Sequence, residues 1–236
     1  MPKRGKKYRA ITADLDTTMV YPMETGIELA LKSRYASFDE SFDIAVKLGV
    51  DPRHADQMVR STVALPNGTG KVLRVLVFAK GEKAKEALDA GADYAGGAEL
   101  VEKIKGGWLE FDKTVATPDM MAEVGKIGRV LGPRNLMPNA KLGTVTFDVG
   151  NVVKEIKGGK VDFKVDKSGI VHGLVGKASF GAEKIRDNIL AFVDRLLQLK
   201  PSSSKGIYLQ SIALSTTMGA GIKIDPQDVR TVLKKT

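Results

Sequence analysis

The sequence changes its pattern of apolar residues twice, and both changes fall at glycine-rich breaks. The first break is Pro66-Asn67-Gly68-Thr69-Gly70, and the second is Lys157-Gly158-Gly159. Outside the breaks apolar and polar residues alternate, whereas between them short β-branched runs precede helical segments. One continuous sheet does not produce both patterns. We therefore predict an α/β protein of two domains, with the second domain inserted into the first.

Both ends of the chain have the alternation of half-buried strands. From Ser37 to Val50 the apolar phase consists of Phe38, Glu40, Phe42, Ile44, Val46, Leu48 and Val50. The same alternation from Lys160 to Asp166, a turn at 167–169 and a run from Ile170 to Val175 predict a β-hairpin. An amphipathic helix is predicted from Gly181 to Leu199. Residues 1–67 and 159–236 together should form a discontinuous α+β sandwich domain.

The middle of the chain, residues 68–158, has the pattern of a parallel sheet. Val72 to Phe78 is almost entirely β-branched and apolar, as in a strand buried on both faces. Strands and helices then alternate as far as Ile156, which predicts a Rossmann-like three-layer α/β domain. The chain passes between the two domains twice, and a double crossing can act as a hinge. The predicted hinge residues are Gly68, Gly70, Gly158 and Gly159.

The net charge favours a polyanionic partner. The 236 residues include 37 Lys and Arg against 28 Asp and Glu, which gives a net charge of +9. Most of this excess lies outside residues 68–158. Nucleic acid is the first expected partner and an acidic membrane the second. A membrane span needs about 18 consecutive apolar residues, and the sequence has no such run.

Metal and catalytic chemistry have little support. There are no cysteines, and His54 and His172 lack partners at ligand spacing, so we expect no metal, no cofactor and no catalytic residue. Gly68-Thr69-Gly70-Lys71 precedes a strand and has Val72 where a phosphate-binding loop has Ser or Thr. The alternative to a nucleic-acid-binding protein is a nucleotide-using enzyme with its site in the inserted domain. The basic N-terminus is not followed by an apolar segment, so secretion is not expected.

The stretch from Gly125 to Gly143 combines glycines, prolines and cations. Pro133 and Pro138 prevent a continuous helix, and few acidic residues lie nearby. This composition suggests a phosphate site. It lies, however, in the nearly neutral middle of the chain, so its glycines and prolines more simply shape a loop. Three side chains remain candidates for contacts with a nucleic acid: Arg129, Arg134 and Lys141.

Candidate nucleic-acid contacts each have a simpler interpretation. Lys164, Lys167 and Lys177 surround the hairpin, yet a solvated strand face explains them equally well. Residues 216–221 are uncharged and are typical of a connector, although hydroxyls and exposed amides also bind RNA. Phe38 suits either a hydrophobic core or a stacking contact. The five basic residues at 3–9 suit a solvated terminus or a phosphate-contacting arm.

A resemblance to a known family covers nearly the whole chain. It is carried by Gly-Lys-Lys-Tyr-Arg at 5–9, Ser-Phe-Asp-Glu-Ser at 37–41, Leu-Gly-Val-Asp-Pro-Arg at 48–53, Gly-Ala-Asp-Tyr at 91–94, Leu-Gly-Pro-Arg-Asn-Leu-Met-Pro at 131–138, Asp-Lys-Ser-Gly-Ile-Val-His at 166–172, Val-Gly-Lys-Ala-Ser-Phe at 175–180 and Ser-Thr-Thr-Met-Gly at 215–219. In this order the motifs resemble the bacterial form of the L-one family of ribosomal proteins, the stalk proteins of the large ribosomal subunit.

The resemblance implies a two-domain, non-enzymatic protein of the cytoplasm, working in the large ribosomal subunit. It implies binding to the rRNA of the mobile stalk, mainly through the discontinuous domain, and a role in releasing exit-site tRNA. It also implies repression of translation by binding to the mRNA of its own operon. We expect no membrane association, and a monomer when the protein is free.

Residues carried over from the family form the expected rRNA and mRNA surface: Phe38, Ser41, Gly169, His172, Lys177, Thr217, Met218 and Gly219. Three positions depart from the family pattern. Ser37 stands where lysine is usual, which removes one expected phosphate contact. Ala220 replaces a common proline, which should loosen the neighbouring loop. Asn135 replaces a common glycine, and asparagine is among the residues that best tolerate a left-handed backbone.

Overall fold

The computed structural model describes residues 5–13 and 15–235. The chain forms two compact units, of which unit one comprises Met1–Gly70 with Val161–Thr236 and unit two comprises Lys71–Lys160. Both units contain strands and helices, so the predicted α/β class is confirmed. The predicted domain boundaries, after residues 67 and 158, stay a prediction. Within the described residues no helix is long and apolar enough to cross a membrane.

The described strands are β1 Val20–Tyr21, β2 Ser41–Leu48, β3 Arg60–Ala64, β4 Val75–Phe78, β5 Tyr94–Gly96, β6 Lys113–Ala116, β7 Lys160–Lys164, β8 Ile170–Lys177, β9 Leu209–Thr216 and β10 Ile222–Ile224. The described α-helices are α1 Lys6–Ile11, α2 Met23–Lys32, α3 Glu82–Asp89, α4 Ala98–Lys105, α5 Met121–Lys126, α6 Gly128–Leu131, α7 Val149–Lys157, α8 Gly181–Gln198 and α9 Pro226–Lys235. Neither α1 nor β1 was predicted, because each is too short to show a period.

Unit one is organised around a five-stranded sheet of order β1-β10-β9-β2-β8. Strand β2 lies between β8 and β9 and pairs antiparallel with both. One face of the sheet is buried under α2 and α8, and its β2 residues are Phe42, Ile44, Val46 and Leu48. The opposite β2 residues are half-buried or exposed: Ser41, Asp43, Ala45 and Lys47. The alternation in the sequence therefore identifies the two faces.

The predicted hairpin between residues 160 and 175 is present only at its turn, and the predicted pairing of its two strands is wrong. Strand β7 pairs with β3 in a separate two-stranded sheet, whereas β8 pairs with β2. A bridge between Val165 and Val171 and a hydrogen bond from Asp166 N to Ile170 O join the two segments. The alternation shows which face of each strand is buried, but it does not show which strands are neighbours.

Unit two has a parallel three-stranded sheet of order β5-β4-β6. All four residues of β4 are buried, but the strand begins at Val75, three residues later than the predicted run from Val72 to Phe78, and Val72 itself is 96% exposed. Val75 and Val77 pack on the side of α3 and α7, whereas Leu76 and Phe78 pack on the side of α4 and α5. Two separate clusters on the two faces of one sheet make unit two a three-layer α/β structure.

Two further predicted elements have different bounds. The strand expected from Ser37 to Val50 extends only over Ser41–Leu48, so Phe38 lies before it. The helix expected from 119 to 130 is divided into a 3₁₀ turn at Pro118–Met120, α5 and α6, with a break at Ile127. Two glycines, Gly125 and Gly128, flank this break and lower the helix propensity there.

Candidate RNA interface

Reciprocal hydrogen bonds join the start of β2 to the loop after β9. Ser41 N donates to Thr217 Oγ1 at 2.9 Å, and Thr217 N donates to Ser41 O at 3.0 Å. The Thr217 hydroxyl in turn donates to Ser41 O at 3.4 Å. Thr217 is exposed, so its hydroxyl lies at the surface while it orders two backbone segments. The remaining lone pair of Oγ1 is free to accept from an external donor.

A buried carboxylate lies directly beneath this loop. Glu40 is only 1% exposed, and its Oε1 accepts from Tyr35 N at 3.0 Å and from Ala36 N at 2.9 Å. Its Oε2 accepts from Met218 N at 3.1 Å. One side chain therefore fixes the turn after α2 and the loop after β9. The positions of Phe38 and Met218 depend on this carboxylate.

The Glu40 carboxylate is ionised despite its burial. Burial raises its pKa, but hydrogen bonds from Ala36 N, the Thr216 hydroxyl, Met218 N and Tyr35 N outweigh burial and leave the pKa lowered. Hydrogen bonds to the charged form favour that form. The negative charge is stabilised by hydrogen bonds from backbone amides and the Thr216 hydroxyl within the protein.

Lys177 lies at the same end of the sheet, opposite Ser41 in the register of β2 and β8. Its Nζ donates to Asp39 O at 3.2 Å and to Ser41 Oγ at 3.1 Å. The ammonium thus keeps one of its three hydrogens for an external acceptor. The Asp39 carboxylate is bound to Ser179, whose N donates at 3.0 Å and whose Oγ donates at 2.7 Å. Lys177 is therefore held at the surface without a direct ion pair to Asp39.

Phe38 and Met218 are large apolar side chains exposed beside these polar groups. Phe38 is 55% exposed and Met218 is 45% exposed. Phe38 is therefore not part of the core, and of the two interpretations of the sequence the surface position is correct. We call the group the sheet-end surface, and its members are Phe38, Ser41, Lys177, Thr217, Met218 and Gly219.

Gly219 has an internal reason to be glycine. A Cβ there would overlap Thr216 Oγ1 and Ser33 Oγ. Gly219 N donates to Thr216 Oγ1 at 3.2 Å, which closes the loop. Ala220, at the position where proline is common, is 1% exposed. Buried packing of Ala220 and the hydrogen bonds of the two preceding amides hold the loop without proline.

Two of the predicted site residues lie towards the other end of the sheet. His172 is five residues before Lys177 in β8, a distance of about 16 Å along an extended strand. Its Nε2 is 3.8 Å from Asp166 Oδ2. Gly169 has φ +77°, is buried, and its carbonyl accepts from Leu48 N at 2.9 Å. The predicted residues therefore form two groups on unit one.

The first glycine junction is fixed by a buried asparagine. Asn188 is fully buried and its Oδ1 accepts from Asn67 N at 3.0 Å. Its Nδ2 donates to Gly68 O at 2.9 Å and to Val175 O at 2.7 Å. Three of the predicted hinge residues, Gly68, Gly70 and Gly159, have positive φ, whereas Gly158 has φ −70°. The hinge role of these glycines stays a prediction.

The segment from Gly125 to Gly143, which contains the end of α5, all of α6 and a 3₁₀ turn at Ala140–Leu142, presents its cations to solvent. Arg129, Arg134 and Lys141 are exposed and have no ion pair within the described part of the chain. No Asp or Glu occurs between Glu123 and Asp148. Asn135 has φ +56°, so the left-handed backbone predicted for this position is confirmed.

The sequence also held signals that were missed. Glu40 falls in the apolar phase of the alternation, and a carboxylate in the buried phase of a strand indicates an internal hydrogen-bond network. Asn188, fully buried on α8, was also visible, because it lies three residues after Ile185 and four before Phe192, on the apolar face of the helix. Among the described residues no three His, Cys, Asp or Glu side chains are grouped as metal ligands would be.

Comparison with known proteins agrees with these motifs. Residues 30–220 match the model of the ribosomal protein L1p/L10e family. The chain is 66% identical over 235 residues to "Large ribosomal subunit protein uL1" of Desulfotalea psychrophila, covering 100% of both chains. It is 68% identical over 233 residues to the protein of that name in Syntrophobacter fumaroxidans, covering 99% of this chain and 100% of the relative. The chain belongs to the ribosomal protein L1p/L10e family.

Proposed function

We propose that this protein binds the rRNA of the mobile stalk of the large ribosomal subunit through its sheet-end surface. The observation that carries the proposal is the combination of Phe38 and Met218, both exposed, with the hydrogen-bonding groups of Ser41, Thr217 and Lys177. An apolar side chain suits the face of an unpaired base or a sugar. The adjacent hydroxyls and ammonium suit phosphate and 2′-OH groups.

Membership of the family shows the general role of the chain. The chain is a ribosomal protein and a component of the large subunit, as its relatives are named, and it is not an enzyme. Ribosomal proteins of bacterial large subunits are cytoplasmic, and we assign this one to the same place. The alternative of a nucleotide-using enzyme in the inserted domain is set aside by the same finding.

Preordering of the sheet-end surface supports specific recognition of RNA. Glu40 holds the Met218 amide and the turn before Phe38, so the backbone that carries both apolar side chains is ordered before RNA arrives. A surface that is ordered in advance loses less conformational entropy on binding. Gly169 and His172 belong to the same proposed interface and extend it along β8.

Contacts beyond the stalk are further parts of the proposal. Arg129, Arg134 and Lys141 give unit two an exposed, acid-free cationic loop suited to phosphates of exit-site tRNA or of a second RNA segment. Movement about Gly68, Gly70, Gly158 and Gly159 would let the two units adjust to RNA. Repression of the protein's own operon would use the sheet-end surface on an mRNA site of similar shape.

Co-sedimentation with large subunits, combined with crosslinking to rRNA, tests the proposal. We expect the protein to sediment with subunits that lack it, and crosslinks from residues 38–41 and 217–219 to map to stalk rRNA. Crosslinks elsewhere in the subunit, with none to the stalk, would contradict the proposal. A variant with Lys177→Gln should crosslink less efficiently at the same sites.

A further inference from the structure

A basic cavity opens at the end of unit one that contains Gly169. It has a volume of about 750 Å³ and is lined by Pro52, Arg53, Met58, Lys164, Val165, Asp166 and Lys167. The first three follow β2 or precede β3, and the others form the end of β7 and the turn into β8. Binding sites for small organic ligands have volumes of about 300–1,000 Å³, so the cavity is large enough for one nucleotide.

The charges of this cavity favour an anion. Arg53, Lys164 and Lys167 have no ion pair within the described part of the chain. Asp166 is the single acidic residue in the lining, and its Oδ1 accepts from Ser168 N at 2.8 Å and from Ile170 N at 2.9 Å. Its other oxygen faces His172. Asp166 is thus occupied by the turn, and the three cations remain for a ligand.

The same cavity offers an apolar surface beside its cations. Met58 is 44% exposed, and Pro52, which is half-buried, belongs to the same lining. Methionine is unbranched and polarisable, and it packs well against flat rings. Cations beside an apolar surface match a phosphate attached to a base.

The cavity is continuous with one group of the predicted site residues. Asp166 belongs to its lining and is also 3.8 Å from His172 through Oδ2 and Nε2. Gly169 follows in the same turn, where its carbonyl accepts from Leu48 N. RNA that contacts His172 would therefore meet the edge of the cavity.

We propose that this cavity binds one unpaired nucleotide of the RNA, with its base against Pro52 and Met58 and its phosphates on Arg53, Lys164 and Lys167. This inference rests on the proposed function, because the same RNA spans the sheet-end surface and the cavity. It adds a second subsite at the opposite end of β8. An unpaired nucleotide is the expected occupant because a base inside a helix cannot enter such a pocket.

Affinity for a stalk rRNA fragment tests the subsite, with full-length protein and a salt series. Arg53→Gln combined with Lys167→Gln removes two phosphate contacts, and loss of two contacts to unpaired RNA lowers affinity roughly 10-fold at about 0.15 M salt and the salt slope by about 1.4. The control combines Lys85→Gln with Lys184→Gln, which removes two exposed cations outside the cavity. We expect this control to bind within about 3-fold of the wild type, since unpaired surface charges away from RNA act weakly.

Chemical probing of the bound RNA identifies the occupant. We expect an unpaired nucleotide that is protected in the wild-type complex to become reactive with Met58→Ser and with the double cavity variant, while the protections from the sheet-end surface persist. If the wild type shows no preference for stalk rRNA, the proposed function itself fails. If the wild type binds and the cavity variants keep its affinity, salt slope and full protection pattern, only the subsite is refuted.

Discussion

Ser41 and Thr217 exchange two backbone-directed hydrogen bonds, 2.9 Å from Ser41 N to Thr217 Oγ1 and 3.0 Å from Thr217 N to Ser41 O. These residues lie 176 positions apart in the sequence, in the two parts of unit one. A surface side chain thus closes the sheet end and also presents a hydroxyl to solvent. The proposed RNA contact and the local order of the loop depend on the same oxygen atom.

Thr217→Val should weaken binding to stalk rRNA by roughly 1–2 kcal/mol, because Ser41 N loses its acceptor and the RNA loses a polar contact. Thr217→Ser keeps the hydroxyl and should bind nearly as tightly as the wild type. Fluorescence anisotropy with a labelled rRNA fragment measures both variants. Equal affinity of the valine and serine variants, with both folded by circular dichroism, would remove Thr217 from the interface.

Glu40→Gln should destabilise the protein by about 1–3 kcal/mol at pH 7, since an amide nitrogen cannot accept from Met218 N. The lowered pKa gives the sign of the pH dependence. A carboxylate with a lowered pKa stabilises the fold above its unfolded pKa of about 4.3, and this contribution is lost as the pH falls through the folded pKa. The difference in the free energy of unfolding between the wild type and Glu40→Gln should therefore become smaller below that pH.

Urea unfolding followed by circular dichroism at pH 7 and at a pH well below 4 measures this difference. Trp108, the single tryptophan, lies in unit two and gives a separate fluorescence signal for that unit. A difference between wild type and Glu40→Gln that is the same at both pH values would show that the carboxylate charge does not stabilise the sheet-end surface.

Asn188→Ala should destabilise the protein by roughly 1–3 kcal/mol, mainly because it leaves the buried Val175 O without its partner, while the partly buried Asn67 N and Gly68 O can turn to water. Asn67→Ala is the matched control, as the Asn67 side chain makes one exposed hydrogen bond, to Lys184 O at 3.2 Å. Chemical denaturation compares the two. Similar stability losses for both variants would argue against Asn188 as the anchor of the junction.

Asn135→Ala should lower the stability of unit two by about 1 kcal/mol, because residues other than glycine and asparagine avoid a left-handed backbone. Asn135→Gly should be neutral or slightly stabilising, since glycine adopts φ +56° without strain. Trp108 fluorescence during denaturation reports on the unit that contains this loop. An alanine variant as stable as the glycine variant would contradict the backbone argument.

The pattern of apolar residues predicted the buried face of single strands well, but it predicted poorly which strands pair with one another. The alternation of Phe42, Ile44 and Val46 identified the buried face of β2, and the apolar run before Ala79 identified the buried strand β4. Pairing was missed, as β7 lies beside β3 and not beside β8. Register and strand order depend on contacts between distant residues, which one sequence does not display.

The sheet-end surface could be predicted only in part, because it too depends on contacts between residues that are distant in the sequence. Phe38, Lys177 and Thr217 came from motifs of a resembling family, because their own composition fitted a connector or a solvated strand equally well. Glu40 was visible as a carboxylate in an apolar phase, but one of its three amide partners, Met218 N, lies 178 positions away. Buried polar networks of this kind become apparent only when the chain is folded.

Lys177 gives a direct test of the phosphate contact in the sheet-end surface. Lys177→Gln should reduce the salt slope for rRNA binding by about 0.7–0.9, the value for one phosphate contact. Its Nζ is held by Asp39 O and Ser41 Oγ, so the charge is already placed before binding. An unchanged slope with weaker binding would assign Lys177 a positioning role in place of a phosphate contact.

The affinity of the purified protein for stalk rRNA, relative to an unrelated hairpin of the same length, tests the central claim most directly. We expect a preference of at least about 100-fold at about 0.15 M salt, since specific sites typically exceed non-specific ones by more than this factor. We also expect the wild type to lose most of that preference when Phe38→Ala and Met218→Ala are combined. Equal affinity for the two RNAs would contradict the account.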